Sequence, residues 1–220
     1  RNVDIIMARL IKNETVELFG KNATVPFING CDNSYHPCQI LADALTILEK
    51  FGTLDVNLMY IGAKNNVFNS HVEFFSKMKK GTLYGLTPLV NETACGPDFY
   101  EETKKSGHYI ELDPAMSMEE AKEYANKMDV LYTDTWVDME FFNNPAYQKQ
   151  KEETLAKMMP YQLNGDFTKD SKAIVFHDMP MHVGFEISQD VVDKNLDHIL
   201  DEAENRRHAE KAVMYTLLNS

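Results

Sequence analysis

The feature that most constrains the fold of this chain is the alternation of short β-type runs with longer helix-type stretches. Apolar runs at residues 3–10, 25–30 and 56–62 are each followed by a stretch whose apolar residues recur at helical spacing. Parallel strands need a crossover between them, and that crossover is usually a helix. The order of these runs is therefore typical of α/β units around a parallel sheet.

The same patterns place elements along the rest of the chain. Further strands are predicted at residues 82–88, 109–110, 129–133 and 173–177. Helices are predicted at residues 14–22, from Pro37 to Gly52, through Phe74 and Met78, and at residues 97–106, 117–127, 145–158 and 201–218. Gly52 is predicted to end its helix as a C-cap, and Ser117 to begin its helix with a capping box.

Composition and charge exclude several classes of protein. The chain has 220 residues with 44% hydrophobic content, which is enough for the core of one large or two small domains. Its net charge is −12, with the acidic residues scattered along the chain. Nucleic acid is therefore not expected as a partner, because phosphate binding needs concentrated Lys and Arg. A membrane is not expected either, because the longest apolar runs fall far short of the roughly 20 residues that a spanning helix needs.

The cysteines and the first residues carry two further expectations. Cys31, Cys38 and Cys95 are odd in number and do not have metal-ligand spacing, which favours reduced thiols in the cytosol and no bound zinc. No other cofactor is expected. The chain starts at Arg1 without Met and runs at once into an apolar string. Because natural N-termini are usually polar and loose, we expect the chain to begin inside a longer protein.

Four polar clusters follow predicted strands or lie just before a helix. They occupy residues 29–39, 65–66, 134–139 and 177–180. In an open α/β sheet, ligands bind outside the carboxyl ends of the strands. We therefore expect these clusters to converge on one site.

Five segments in order resemble the ornithine/aspartate carbamoyltransferase family, closer to its ornithine branch. They are Met7-Ala8-Arg9, Tyr35-His36-Pro37-Cys38-Gln39, Asp129-Val130-Leu131-Tyr132-Thr133-Asp134-Thr135-Trp136, His177-Asp178-Met179-Pro180 and Glu202-Ala203-Glu204-Asn205-Arg206. The resemblance spans the whole chain. It implies transfer of a carbamoyl group from carbamoyl phosphate to the amine of an ornithine-like amino acid or a related amine, by a protein that is a homotrimer at full length.

The resemblance also implies roles for eleven residues. Those expected to hold carbamoyl phosphate and stabilise the oxyanion formed on its carbonyl are Arg9, His36, Gln39 and Arg206. Those expected to bind the acceptor amine are Asn65, Asn66, Asp134, Asp138, Met139, Asp178 and Met179. Surface or structural ion pairs remain the simpler interpretation of Arg9 and Arg206, since Arg206 lies on a helix rich in glutamate.

The implied fold is a Rossmann-like parallel-sheet α/β domain that binds the amino acid, together with the remnant of a second α/β domain that binds carbamoyl phosphate. Residues 1–35 are assigned to that second domain, 36–52 to a hinge helix, 53–195 to the amino-acid-binding domain and 196–220 to a helix that returns to the second domain. The family's S-x-R-T phosphate loop does not occur in the sequence. We expect it to lie upstream of Arg1 in a parent chain.

The chain departs from the family pattern at positions that bear on the acceptor. Ala63 stands where the ornithine enzymes have an acidic residue, Asp138 where they have Ser and Glu140 where they have Gly. Asp178 replaces the Cys of their H-C-L-P segment. The arginine that the aspartate enzymes carry after this segment is also absent, since Met181 follows Pro180, and this disfavours aspartate as the substrate.

Asp178 allows more than one interpretation. A carboxylate beside the amine favours the ammonium form and raises its pKa, which opposes attack by a neutral amine. Asp178 is instead a candidate general base, or a group that recognises a more cationic substrate. A non-catalytic amino-acid-binding member of the family is the alternative function. A nucleotide-binding dehydrogenase-like domain is disfavoured because the turn after Ile61-Gly62 lacks G-x-G-x-x-G.

Overall fold

The computed structural model of the protein describes residues 2–137 and 139–219, without the side chains of residues 139 and 140. Within these residues the strands form two sheets, one of two strands and one of five. The strands are β1 Ile6–Arg9, β2 Phe27–Cys31, β3 Asn57–Lys64, β4 Thr82–Val90, β5 Tyr109–Glu111, β6 Val130–Thr133 and β7 Ile174–His177. The helices are α1 Asn13–Asn22, α2 Pro37–Phe51, α3 Asn66–Lys77, α4 Pro97–Lys104, α5 Met118–Ala125, α6 Met139–Phe142, α7 Gln148–Met158 and α8 Gln189–Leu218.

All pairings between the named strands are parallel, as the alternation of runs predicts. β1 pairs with β2, and the larger sheet has the order β5-β4-β3-β6-β7 with β3 at its centre. The α/β parallel-sheet fold is therefore confirmed. Because the strands run in one direction, their carboxyl ends share one edge of the sheet, where a ligand site is expected.

The core lies on both faces of the five-stranded sheet. Side chains alternate along a strand, so Leu58 and Tyr60 of β3 point to one face while Met59 and Ile61 point to the other, and all four are fully buried. Helices α2, α3 and α4 cover the first face, and α5 and α8 cover the second. Burial of a single Leu or Phe side chain stabilises the fold by about 1.5–3 kcal/mol, so these two layers dominate the stability.

Several helix ends follow the chemistry predicted for them. Gly52 follows α2 with a φ of 69°, the left-handed conformation that glycine adopts easily, and its N–H donates to the carbonyl of Leu48. The Ser117 hydroxyl accepts a hydrogen bond from the Glu120 N–H at 3.2 Å. The Gly52 C-cap and the Ser117 N-cap are therefore confirmed, whereas the structure shows no hydrogen bond from the Ser117 N–H to the Glu120 side chain that would complete the predicted capping box.

The last helix begins earlier than predicted. We placed its start at Asp201, whereas α8 begins at Gln189 and has 30 residues. Its first turns are rich in charged residues, and they bury only Val191, Val192 and Ile199 against the sheet. Because this apolar stripe is thin, it is hard to recognise from periodicity, and the predicted start was wrong.

Other predicted ends of helices and strands differ from the observed ones by a few residues. The helix predicted at 145–158 begins as a 3₁₀ turn at Pro145–Tyr147, and α7 follows from Gln148. β1 is shorter than residues 3–10, and α4 ends at Lys104 rather than at Ser106. No helix of the described residues is both long and apolar enough to cross a membrane.

Helices α2 and α8 pack side by side and carry polar contacts along their shared surface. Asn205 Nδ2 donates to Thr46 Oγ1 at 3.0 Å and to Glu49 Oε2 at 2.7 Å. Lys50 and Asp201 form an ion pair further along. This packing holds the beginning of α2 beside the middle of α8, and both segments supply predicted site residues.

Candidate active site

A cleft of about 420 Å³ opens where the carboxyl ends of the two sheets face each other. All four polar clusters of the sequence contribute to it, so their predicted convergence is confirmed. The residues that line it are Arg9, Leu10, Ile11, Cys31, Asp32, Asn33, His36, Asn65, Asn66, Val67, Thr93, Asp134, Thr135, Asp178, Met179, Pro180 and Arg206.

Eight of the eleven predicted site residues line this cleft. They are Arg9, His36, Asn65, Asn66, Asp134, Asp178, Met179 and Arg206. Gln39 lies behind the lining, where it is only 2% exposed. Asp138 lies outside the described residues, and for Met139 only the backbone, at the start of α6, is described.

Gln39 connects the cleft to the buried layer between α2 and α8. Arg206 Nη1 donates to Gln39 Oε1 at 2.7 Å. Gln39 Nε2 donates in turn to Asp43 Oδ1 at 2.9 Å and to Glu202 Oε1 at 2.8 Å. The amide is thereby oriented with its oxygen toward the guanidinium, which fixes where Arg206 faces the cleft.

Asp43 and Glu202 form a buried carboxyl pair that the sequence analysis missed. Burial raises the pKa of Asp43 to about 8, and burial together with the charge of Asp43 raises that of Glu202 well above its usual value. The His71 ring supports a proton on Asp43. Its Nδ1 faces the Val67 carbonyl at 3.0 Å and must donate, so in the neutral ring Nε2 carries no proton, and this nitrogen lies 3.3 Å from Asp43 Oδ2, where it disfavours a carboxylate charge.

His36 enters the cleft as a neutral imidazole. Burial first, and then the charges of Arg206 and Arg9, lower its pKa to about 3. Its backbone N–H donates to Ser70 Oγ at 2.7 Å, which fixes the residue at the beginning of α2. A neutral imidazole has one N–H donor, and such a donor can polarise a carbonyl oxygen.

Asp134 and Asn65 form a rigid pair at another part of the cleft. Asn65 Nδ2 donates to Asp134 Oδ2 at 2.7 Å, and the Thr135 N–H donates to Asp134 Oδ1 at 2.6 Å. Asn65 also caps α3, since its Oδ1 accepts from the Phe68 N–H at 2.9 Å. Burial, and then the charge of Asp178, raises the pKa of Asp134 to about 7.

Asp178 lies between two predicted carbamoyl-phosphate residues. Its Oδ2 is 3.9 Å from His36 Nε2, and its Oδ1 is 3.9 Å from Arg206 Nη1. Burial, followed by the charge of Glu202, raises its pKa to about 6, while the charge of Arg206 acts in the opposite direction. Arg206 also contacts Glu210 Oε1 at 3.6 Å, so the surface pair inferred as its simpler role exists beside its place in the cleft.

Nine of the lining residues were not among the eleven predicted site residues, and Asp32 and Thr93 are two polar ones. Asp32 is buried, and its carboxylate accepts from the side chains of Asn13 and Asn29, each at 2.9 Å, and from two backbone N–H groups. It therefore shapes the loop before α2. Thr93 follows β4 and has a buried hydroxyl without a hydrogen bond to the residues described. Its position after a strand was the only signal in the sequence.

Two other residues of the family-like segments lie in the protein interior. Trp136 and Cys38 are both buried. Among the described residues there is no group of three or more His, Cys, Asp or Glu side chains arranged to hold a metal ion.

Two protein-family models match this chain, and together they cover most of it. Residues 54–217 match the model described as aspartate/ornithine carbamoyltransferase, Asp/Orn binding domain. Residues 1–49 match the carbamoyl-P binding domain of the same family. This chain belongs to the aspartate/ornithine carbamoyltransferase family.

Individual relatives agree with the ornithine branch. The ornithine carbamoyltransferase of Chlorobaculum tepidum is 36% identical over 98% of this chain and 61% of its own length. That of Pyrococcus horikoshii is 38% identical over 99% of this chain and 67% of its own length. The ornithine carbamoyltransferase structure from Pyrococcus furiosus superposes with a TM-score of 0.82 at 34% identity, covering 100% of this chain and 68% of that one. The chain thus spans about two thirds of the length of these carbamoyltransferases, or somewhat less.

The structure shows where two of the departures from the family pattern lie relative to the cleft. Asp178, which replaces the Cys of the family's H-C-L-P segment, faces the cleft beside His36 and Arg206. Ala63 is buried in β3 and does not line the cleft. Of the departures whose side chains the structure describes, Asp178 is therefore the one that brings a new charge into the cleft.

Proposed function

We propose that this chain forms the acceptor-binding part and much of the donor-binding part of a carbamoyltransferase. The enzyme transfers the carbamoyl group of carbamoyl phosphate to the amine of an ornithine-like amino acid or a related amine. The observation that carries the proposal is the composition of the cleft, in which Arg9, Arg206 and a neutral His36 share one cavity with the carboxylates of Asp134 and Asp178. Cationic and N–H donor groups suit a phosphate and a carbonyl, and carboxylates suit an amine.

The donor occupies the side of the cleft that holds Arg9, His36 and Arg206. The two guanidinium groups bind phosphate oxygens, and the His36 N–H donates to the carbonyl oxygen. Gln39 acts through Arg206, which it orients by the 2.7 Å hydrogen bond. When the amine attacks, negative charge develops on the carbonyl oxygen, and loss of one such preorganised donor typically costs about 2.7–4 kcal/mol of transition-state stabilisation.

The acceptor occupies the side formed by Asn65, Asn66, Asp134 and Met179. Asp134 is held in place by two hydrogen bonds and binds the α-ammonium group of the amino acid. Asp138 and Met139 belong to the loop that follows Asp134, and we assign them to the same side by resemblance alone. Positioning the amine against the carbonyl carbon supplies much of the catalysis, since no covalent intermediate is needed.

Two broader properties belong to the same proposal. The resemblance supports a homotrimer of the full-length protein, in which neighbouring subunits complete each active site. The three free cysteines agree with a reducing compartment and support a cytoplasmic location. Light scattering on the purified full-length protein tests the trimer, and a mass of one or two subunits would refute it.

The experiment that tests the activity is phosphate release. Full-length protein is incubated with carbamoyl phosphate and a panel of amines that includes ornithine, other diamino acids and simple diamines. We expect amine-dependent release of phosphate and a carbamoylated product. The absence of turnover with every amine would refute the enzyme and favour the non-catalytic amino-acid-binding alternative.

Two adjacent arginines of α8 provide a matched comparison. Arg206 faces the cleft, whereas Arg207 is 63% exposed and pairs with Glu204. Arg206→Ala is expected to lower kcat/KM by about 100-fold or more, the effect of losing one transition-state donor. Arg207→Ala is expected to retain the wild-type value. Equal effects of the two substitutions would show that Arg206 acts only through the helix surface.

A further inference from the structure

We propose that Asp178 is the general base of the reaction, accepting the proton that the acceptor nitrogen loses when it bonds to the carbamoyl carbon. This inference rests on the proposed carbamoyl transfer and adds a catalytic residue to it. It concerns a position where the family's H-C-L-P segment has a thiol and this chain has a carboxylate.

The first support is that the oxygens of Asp178 are not engaged. Asp178 makes no hydrogen bond to any residue that the structure describes, and its nearest charged or titratable neighbours are the Arg206 guanidinium and the His36 ring, each at 3.9 Å. Asp134 is the other cleft carboxylate, and both of its oxygens already accept hydrogen bonds, at 2.7 and 2.6 Å. A carboxylate needs a free lone pair to accept a proton, so Asp178 is the better placed of the two.

The second support is the position of Asp178 relative to the carbonyl. Its two oxygens lie beside His36 Nε2 and Arg206 Nη1, the groups assigned to the donor. An amine that reaches a carbonyl carbon held by His36 and Arg206 therefore comes within range of this carboxylate. A general base must lie within hydrogen-bond reach of the proton that it removes, and Asp178 meets this condition from the cleft wall.

The third support is the side chain's environment. Asp178 is largely buried, with a side chain only 12% exposed, yet it lines the cleft. Charged or titratable side chains from several elements surround it. They are Arg9 of β1, Cys31 of β2, His36 just before α2, Asp43 of α2, Tyr60 of β3, Tyr132 of β6, Asp134 after β6, and Glu202 and Arg206 of α8, beside its chain neighbour His177. Burial and Glu202 raise the pKa of Asp178 to about 6. It is thus ionised at neutral pH but more basic than an ordinary aspartate.

The chemistry balances without another reactant. The neutral amine donates its lone pair to the carbonyl carbon, a C–N bond forms, and the nitrogen becomes positively charged and acidic. One N–H proton moves to Asp178. The oxyanion then collapses, the C–O bond to phosphate breaks, and its electron pair leaves with the phosphate. Asp178 returns its proton to solvent through the open cleft.

The test is the pH dependence of kcat/KM for the amine, between about pH 5 and 8.5. The need for a neutral amine makes log kcat/KM rise by one unit per pH unit at every pH well below the amine's own pKa. A carboxylate base adds a second unit to this slope below its pKa. Wild-type protein is expected to change slope near pH 6 or somewhat higher. Asp178→Asn is expected to lose the change of slope near pH 6, while any contribution of Asp134, whose pKa is about 7, stays the same in both proteins. Its kcat is expected to be about 100-fold lower or more, within the usual range for general-base catalysis.

Asp178→Glu and Glu210→Gln complete the test. Asp178→Glu keeps a carboxylate and is expected to retain the change of slope with a reduced rate. Glu210 is the other carboxylate beside Arg206, at 3.6 Å, so Glu210→Gln controls for disturbance of that arginine and is expected to keep the wild-type profile.

The outcomes separate this inference from the function on which it rests. Turnover by the wild type, combined with an unchanged profile in Asp178→Asn, would overturn the role of Asp178 and leave the carbamoyltransferase standing. A single slope in the wild type would do the same. A wild type that is inactive with every amine would overturn both.

Discussion

At the scale of single residues, the most informative group is the buried set Asp43, Glu202 and His71. None of them lines the cleft, yet together they determine the orientation of Gln39 and through it that of Arg206. A pair of ionised carboxylates in this place would be strongly unfavourable, because burial and mutual repulsion both penalise the charged forms. Protons held by the pair therefore reduce the negative charge of the layer beneath the cleft.

This protonation predicts a pH dependence of stability. The pKa of Asp43 is about 8 in the folded protein and close to 3.8 when unfolded. As pH rises, the unfolded chain releases this proton first, so the folded state becomes less favoured until the pH passes about 8. His36 and His71 act in the opposite direction around pH 6.5, where their unfolded forms lose protons and their folded forms are already neutral, and above about pH 7 they are mostly neutral in both states.

We therefore expect the free energy of unfolding to fall between about pH 7 and 8, with each such carboxyl contributing at most about 1.4 kcal/mol per pH unit. Asp43→Asn removes one of these protons and is expected to make the decline shallower. Urea denaturation at four pH values measures the slope. Asp201→Asn, at a side chain 46% exposed, serves as the control and is expected to keep the wild-type slope. Equal slopes for Asp43→Asn and the wild type would mean that Asp43 is ionised in the folded protein.

At the scale of secondary-structure elements, the close packing of α3 on the sheet requires a glycine in β4. A Cβ added at Gly85 of β4 would lie 2.7 Å from Phe68 Cζ and 3.0 Å from Phe68 Cε2. Phe68 is fully buried between Tyr60 and Tyr109, with ring centroids at 4.9 and 5.9 Å, so it has little room to move. The absence of a side chain at Gly85 thus allows α3 to approach the strand.

Gly85→Ala is expected to destabilise the protein by about 1–3 kcal/mol, the usual cost of overpacking a dense core. Gly20 of α1 offers the opposite case, since nothing lies within 4 Å of a Cβ built there. Gly20→Ala is expected to stabilise the protein by about 0.5–1 kcal/mol through helix propensity alone. Urea denaturation of both variants measures the two changes. A neutral Gly85→Ala would mean that Phe68 shifts without loss of packing.

At the scale of the whole molecule, the cleft joins two separate sheets. Arg9 comes from β1 of the small sheet, whereas Asn65 and Asp134 follow β3 and β6 of the large one. A ligand that contacts both sides links the sheets in the folded state and has no comparable site in the unfolded chain. Binding should therefore stabilise the protein as a whole.

Carbamoyl phosphate at about 100 times its dissociation constant is expected to raise the free energy of unfolding by about 2.7 kcal/mol. Arg9→Ala should remove most of this gain, because it deletes the cationic side chain that the small sheet contributes to the cleft. Lys12→Ala, in the exposed segment just beyond β1, should retain it. Thermal unfolding with and without the ligand measures the gain. A full gain in Arg9→Ala would place the phosphate away from β1.

The sequence by itself determined the parallel α/β fold, the family and most of the residues that meet in the cleft. The strand and helix periods, the Gly52 C-cap and the Ser117 cap depend on neighbours a few residues apart, and so local patterns are enough to reveal them. The convergence of Asn65, Asp134 and Asp178 followed from a general property of parallel sheets, whose strands end at one edge. The early start of α8 was missed because its first turns bury few apolar residues.

Only the tertiary structure decided how those residues act on one another. Gln39 and Glu202 are 163 positions apart, and no pattern in either segment predicts that their side chains form a hydrogen bond. The same holds for the proton on Asp43, which depends on burial by elements from distant parts of the chain. The free oxygens of Asp178, in contrast with the occupied ones of Asp134, also come from packing. Protonation and orientation depend on the three-dimensional surroundings of a group, and a linear pattern of residues does not contain those surroundings.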